Sequence, residues 1–157
     1  MSKQNLIVKM AAIAAIALMA GTGSAQKPTN PRFGHWKLKS DAAAPTSNIM
    51  SYEPIGDKGM KITIDAVNKD GVKSSWGYNT NFDGKQESLH GNDGVDTGSV
   101  RVITDKINEI VYMKGGQVVQ VLTNVLSPDN TKLGIIYMRM KDGKTTGVTF
   151  ATYEKMP

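Results

Sequence analysis

The chain has 157 residues, a formal net charge of +5 and no cysteine, so disulfides, thiol chemistry and cysteine-ligated zinc are excluded. Its length suits a single domain with one hydrophobic core. Basic residues stand beside acidic ones at turns, as in Asp57-Lys58 and Lys69-Asp70, a pattern typical of solvated loop tips and not of a nucleic-acid-binding face.

The N-terminal segment has the order of a secretory signal peptide. Lys3 and Lys9 precede an uncharged run from Met10 to Ala20, and small residues follow up to Ala25. That run is shorter than the roughly 20 apolar residues that a membrane-spanning helix needs, so we expect a cleaved signal peptide over 1–25 and not an anchor. The mature chain is then expected to begin at Gln26, to carry no membrane span and to be exported to the periplasm or the medium.

Turn-forming residues divide the rest of the chain. Pro28 and Pro31 predict an extended lead-in over 26–33, and the domain is expected over 34–157. From there, clusters of Gly, Asn and Asp recur about every 8 to 14 residues, as in Asn68-Lys69-Asp70-Gly71, and these residues tolerate the positive φ of tight hairpins. The spacing predicts a series of β-hairpins.

Apolar and polar residues alternate between those turns, which is the period of a half-buried strand. The alternation predicts about ten strands and no helix, at about 34–40, 47–54, 60–66, 72–82, 85–90, 97–103, 107–114, 117–126, 131–140 and 146–155. An open meander has two edge strands whose backbone N–H and C=O groups are unpaired and prone to aggregation, and closure of the sheet pairs them. We therefore predict an all-β fold, an up-and-down antiparallel meander of about 8–10 strands that forms a closed or nearly closed barrel.

Two of the predicted strands carry apolar residues on both faces. They lie at 117–126 and about 133–140. The pattern predicts that something covers the outer faces: a partner subunit, the lead-in segment or tight packing of the barrel itself. An apolar patch of this kind favours a homodimer.

The opening of the first strand, Gly34-His35-Trp36-Lys37-Leu38, resembles the Gly-x-Trp start of lipocalin-like barrels, the calycin group. Further pieces are similar to small exported bacterial lipocalin-like domains: Tyr52-Glu53-Pro54, Asp83-Gly84-Lys85 and the final Val148 to Lys155 segment. The resemblance implies that Trp36 plugs the closed barrel end, that Arg139 or Lys155 packs across it, and that the barrel binds small apolar molecules. The chain lacks the C-terminal helix of lipocalins and the helical lid of fatty-acid-binding barrels.

Aromatic and cationic side chains are the candidate ligand-binding residues. They share apolar strand faces that are expected to curve around one interior: Trp76, Tyr78, Phe82, Arg101, Tyr112, Tyr137 and Arg139. Aromatic walls with one or two cations suit an apolar molecule with an acidic or polar head. Ordinary core packing also explains these aromatics, and it is the more common reason for aromatic residues on the apolar face of a strand.

No pattern in the sequence predicts catalysis, a cofactor or a metal. His35 and His90 have no metal-ligand spacing, and Glu109 is the one acid expected to point inward. The leading hypothesis is a non-enzymatic binding protein that holds a small hydrophobic or amphipathic ligand. The alternatives are a protein-interaction or inhibitor-like envelope barrel that acts through its surface, and a barrel isomerase or cyclase.

Overall fold

A computed structural model describes residues 29–157, and every regular element in that range is a β-strand. The predicted signal peptide lies outside the described residues. The ten strands are β1 (Gly34–Leu38), β2 (Ser47–Ile55), β3 (Gly59–Val67), β4 (Lys73–Thr80), β5 (Glu87–Ser88), β6 (Thr97–Val102), β7 (Ile107–Lys114), β8 (Gln117–Leu126), β9 (Lys132–Lys141) and β10 (Lys144–Lys155). Within 29–157, no helix has the length and apolarity to cross a bilayer.

The strands form one antiparallel sheet in the order β4-β3-β2-β1-β10-β9-β8-β7-β6-β5. Each strand pairs with its neighbour in the chain, except that β4 and β5 have no ladder between them, and β1 also pairs with β10. The predicted all-β, up-and-down antiparallel meander in a nearly closed barrel is confirmed.

The barrel closes at a seam beside β4, where two isolated bridges take the place of a ladder: Gly77 with His90, and Asp83, beyond the end of β4, with Arg101 of β6. Gly77 N donates to His90 O and His90 N donates to Gly77 O, both at 3.0 Å. A Cβ at Gly77 would overlap the carbonyl oxygen of Ile62, and one at Gly91 would overlap that of Ser75. Gly91 therefore allows the backbone after β5 to approach β4 across the seam, whereas Gly77 makes room for the neighbouring strand β3.

The segment before β1 differs from the predicted extended lead-in. Phe33 N donates to Asn30 O at 3.0 Å, and Arg32 N donates to the Asn30 side-chain oxygen at 3.0 Å. These bonds make a turn that folds Arg32 under the barrel end, where the residue is only 4% exposed.

Trp36 fills the barrel at the end where β1 begins and β10 ends. It is 0% exposed, and its indole Nε1 donates to Arg32 O at 2.7 Å. Lys155 Nζ lies 5.2 Å from the centre of the Trp36 ring, within the range of a cation–π contact. Of the two residues considered for this contact, Lys155 is the one at the tryptophan, and Arg139 lies elsewhere.

The outer surface of β9 and β10 is apolar. Phe150 pairs with Ile136 and Val148 with Met138 across the two strands, and Phe150 is 76% exposed. The strands predicted to be apolar on both faces are β8 and β9. On β8, Leu122 is buried in the barrel and Val125 is 37% exposed, and on β9, Ile135 is buried while Ile136 lies on the outer face beside Phe150. Within the described chain nothing covers the Phe150 side chain.

Candidate functional site

The barrel encloses a cavity of about 350 Å³, which is in the lower part of the range of small-molecule sites. Inward-facing residues of all the long strands line it, because alternate residues of a strand face the same side. The apolar part of the lining includes Met50, Ile62, Ile64, Ile110 and Leu122. The size and the lining suit a small, mainly apolar molecule.

The cavity opens at the end opposite Trp36. The lining residues that keep solvent exposure all lie toward the end where β1 finishes and β10 begins: Leu38, Asn48, Trp76, Gln120, Tyr137, Arg139, Thr149 and Ala151. The other lining residues are buried. The barrel thus has a mouth, at which Trp76 and Arg139 lie, and a floor beneath Trp36.

All five tyrosines of the chain line this cavity: Tyr52, Tyr78, Tyr112, Tyr137 and Tyr153. The rings of Trp76 and Tyr78 each pack edge-on against Tyr112, with ring centres 5.8 Å apart, an arrangement that aromatic quadrupoles favour. Gly98 makes room for this cluster, since a Cβ there would lie 3.0 Å from the Tyr112 ring.

The tyrosine hydroxyls bond mainly to one another and to amides. The Tyr78 and Tyr112 hydroxyls are 3.4 Å apart, and Tyr153 OH donates to Asn48 Oδ1 at 3.2 Å. Burial raises the pKa of all five phenols above their ordinary value. They are therefore neutral at physiological pH, and they offer hydrogen bonds instead of a basic phenolate.

Polar groups also collect at the floor. Arg32, Tyr52, Asn108 and Asn124 line this part of the cavity and are all buried. Asn124 Nδ2 donates to Tyr52 OH at 3.4 Å. Arg32 Nη1 donates to the backbone oxygen of Asp105 at 3.0 Å, and desolvation by burial lowers the pKa of the Arg32 guanidinium.

Five of the seven residues predicted from the sequence line the cavity: Trp76, Tyr78, Tyr112, Tyr137 and Arg139. Their positions fit both interpretations made from the sequence, a ligand-binding wall and ordinary core packing. The prediction that Arg101 points inward is wrong. Val100 is the inward residue of β6, and Arg101 extends outside, where its Nη2 lies 2.8 Å from Glu109 Oε1.

Phe82 and Glu109 are also misplaced by the sequence prediction. Phe82 lies beyond the end of β4 with a φ of 60°, so the strand alternation no longer sets its direction, and it borders a groove outside the cavity. Glu109 faces outward because Asn108 and Ile110 are the inward residues of β7.

Arg32, Asn108 and Asn124 were missed. The two asparagines share the parity of Ile110 and Leu122 on their strands, so alternation contained the signal for them. Arg32 lies in a turn, where the alternation of inward and outward residues does not apply, so the sequence pattern gave no signal for it.

The lining contains no group suited to acid–base or metal chemistry. Among the described residues it includes two arginines and no Asp, Glu or His. Across residues 29–157, no three His, Cys, Asp or Glu side chains are placed to hold a metal ion. What the site offers chemically is apolar contact, hydroxyl and amide hydrogen bonds, and positive charge.

Comparison with known proteins shows the fold and no family. No protein-family model and no curated protein matches the chain. The structure is similar to that of the fluorescent protein UnaG, with a TM-score of 0.56 and 13% identity over 81% of this chain and 98% of UnaG. A point mutant of UnaG gives the same TM-score and identity over 82% of this chain. At this identity the likeness establishes a calycin-like barrel fold and nothing about the ligand.

Proposed function

We propose that the protein is an exported, non-enzymatic binding protein that holds a small hydrophobic or amphipathic molecule inside its barrel. The observation that carries the proposal is the cavity of about 350 Å³ with an aromatic and aliphatic wall and one open end. In a barrel that serves only as a packed core, an empty apolar cavity would lower the free energy of unfolding and bring no advantage. The space favours a binding role over ordinary packing.

The absence of acids and histidines from the described lining supports a binding role over catalysis. General acid–base catalysis relies on groups that exchange protons near neutral pH, and the neutral tyrosines of the wall do not. Export rests on the signal-like segment 1–25 alone, and the mass of the protein isolated from the producing cell tests it. Cleavage gives a polypeptide that begins at Gln26.

A matched pair of aromatic substitutions tests the binding role. Trp76→Ala removes an aromatic ring from the mouth, and Phe150→Ala removes one from the outer surface. Decanol is the probe, and the readout is the rise in melting temperature over each variant's own ligand-free value. Ligand that binds only the folded state at about 100 times its Kd adds about 2.7 kcal/mol of stability, which corresponds to a rise of about 5–10 °C.

We expect this rise in the wild type and in Phe150→Ala, and a much smaller one in Trp76→Ala. No rise in the wild type with decanol or with decanoate would contradict the proposal. A rise that is lost equally in both variants would argue against interior binding.

The exposed outer face of β9 and β10 favours a second candidate, an interaction barrel that acts through its surface. Phe150 and Val148 are 76% and 49% exposed there, and exposed apolar patches mark interaction sites. A concentration-dependent homodimer that Phe150→Ala dissociates, together with a cavity that binds neither probe, would favour this candidate.

A further inference from the structure

The guanidinium of Arg32 is buried at the floor of the cavity with most of its donors unused. Arg32 is 4% exposed, and only Nη1 has a partner, the backbone oxygen of Asp105. Nε and Nη2 have no hydrogen-bond partner. An arginine presents five N–H donors in a planar fork that matches an anion with two oxygens.

No carboxylate of the described residues lies near enough to Arg32 to form a salt bridge. Inside the cavity its neighbours are the neutral side chains of Tyr52, Asn108 and Asn124. The Asp105 carboxylate, on the outer side of Arg32, lies beyond salt-bridge distance and still acts to raise the pKa of the guanidinium against the larger effect of desolvation. The Oδ1 atoms of both asparagines are likewise buried without a partner. The floor therefore holds one positive charge and several unused hydrogen-bonding groups in a confined, apolar barrel.

The structural contacts at this end of the barrel use only one of the donors of the Arg32 side chain, the Nη1 that binds the Asp105 backbone oxygen. The plug contact uses the backbone, since Trp36 Nε1 donates to Arg32 O, and the cation over the Trp36 ring is Lys155. A buried charge that lacks an ionic partner costs folding free energy. A binding role accounts for its retention where a packing role does not.

We propose that Arg32 is the anion-binding residue of the cavity, and that the ligand is an amphipathic carboxylate whose head lies at the floor and whose apolar tail extends to the mouth. This inference rests on the proposed binding function and names its ligand class. The carboxylate takes the free Nε and Nη2 donors in a bidentate, charge-assisted pair. The tail contacts the aliphatic and aromatic wall.

Arg139 is the other cation of the lining, and its position makes it the weaker anchor. It is exposed at the mouth, where water screens a charge pair, whereas the floor is shielded from solvent. A head at the floor also leaves the apolar tail inside the barrel, where its contacts are desolvated.

The experiment compares two probes with the same tail, decanoate and decanol, by calorimetric titration. The proteins are the wild type, Arg32→Gln, Arg139→Gln and Arg101→Gln, the last being an external control because Arg101 lies outside the barrel. We expect the wild type to bind decanoate at least about tenfold more tightly than decanol, since a charge-assisted bond is worth that ratio or more. Arg32→Gln should remove this preference by weakening decanoate binding at least about tenfold more than decanol binding, and Arg101→Gln should leave the binding of both probes unchanged.

Each alternative result is decisive. Equal binding of both probes to the wild type, or a preference that survives Arg32→Gln, overturns the anion site while the proposed function stands. A preference that is lost in Arg139→Gln and kept in Arg32→Gln places the head at the mouth and also overturns it. Binding of neither probe contradicts the proposed function itself.

Two further measurements keep the assignment testable if Arg32→Gln folds poorly. In a crystal structure of the wild type with decanoate, the carboxylate should lie within hydrogen-bonding distance of Arg32 Nε and Nη2, and a head at the mouth would contradict the proposal. Arg32→Met keeps the apolar stem without the charge. We expect its ligand-free melting temperature to equal or exceed that of the wild type, whereas a structural role of the guanidinium predicts a lower one.

Discussion

Arg32 and Arg139 line the same cavity from opposite ends, and their surroundings give them different properties. Arg32 is buried, and desolvation lowers the pKa of its guanidinium. Arg139 lies exposed at the mouth. The interactions of a charge are stronger where water is excluded. Arg32, which lies in the segment predicted to be an extended lead-in, is therefore the stronger electrostatic site of the two.

The five interior tyrosines make the stability of the protein sensitive to alkaline pH. Burial raises the pKa of each phenol above its ordinary value of 10.0. Above about pH 10 the unfolded chain releases phenolic protons that the folded barrel retains, so the free energy of unfolding falls as pH rises. The loss is about 1.4 kcal/mol per pH unit for each tyrosine.

We therefore expect the barrel to unfold cooperatively between about pH 10 and 12, with tyrosinate absorbance rising together with the loss of β-sheet circular dichroism. Tyr78→Phe removes one of the buried phenols and should move this transition to higher pH. Tyrosines that ionise independently near pH 10 while the sheet stays intact would show that the phenols are accessible to solvent.

At the scale of the elements, the seam between β4 and β5 is the weakest part of the barrel. It holds the isolated bridge of Gly77 with His90, and a second isolated bridge joins Asp83 to Arg101 of β6, where other neighbouring strands form ladders. Gly91, next to the bridge, has a φ of +83° and lies against the Ser75 carbonyl. A side chain there would push the two edges apart.

Gly91→Ala should cost about 2–4 kcal/mol of the free energy of unfolding. Gly143→Ala is the matched control, because Gly143 has a φ of +72° with no atom within 4 Å of a Cβ. In Gly143→Ala the free energy of unfolding should fall by only about 1 kcal/mol, because alanine is less stable than glycine in the left-handed backbone conformation. Denaturant titration compares the two, and equal losses would mean that the seam does not depend on the close approach.

The sequence predicted the strands well because alternation and turn residues are local signals. It failed where the local period ended or was ambiguous. The 72–82 run continued its alternation past Thr80, where the chain turns, so Phe82 left the predicted face. On β6, Arg101 shares its parity with the polar residue Ser99 and not with Val100, so the alternation itself indicates that Arg101 faces outward.

Other features depend on contacts that no local pattern encodes. Arg32 reaches the floor only because the turn at Asn30 to Phe33 folds it under Trp36. The seam likewise depends on a bridge between residues that are distant in the chain. Even so, five of the seven candidate site residues line the cavity, because the inward face of a strand is fixed by its period.

At the scale of the whole molecule, the barrel has a plugged floor with a buried cation, an apolar wall and an open mouth. This polarity distinguishes a container from a uniformly filled core. The apolar outer face around Phe150 is a separate feature, and it supports the second candidate function, an interaction barrel that acts through its surface. We propose that a small molecule occupies this interior in the cell.

Native mass spectrometry of the protein, purified from the producing cell without organic extraction, tests that claim most directly. We predict an added small-molecule mass in the wild type and in Phe150→Ala that is absent from Trp76→Ala. A bare polypeptide mass in the wild type, unchanged after incubation with decanoate or decanol, would contradict the account and leave a barrel that acts through its surface.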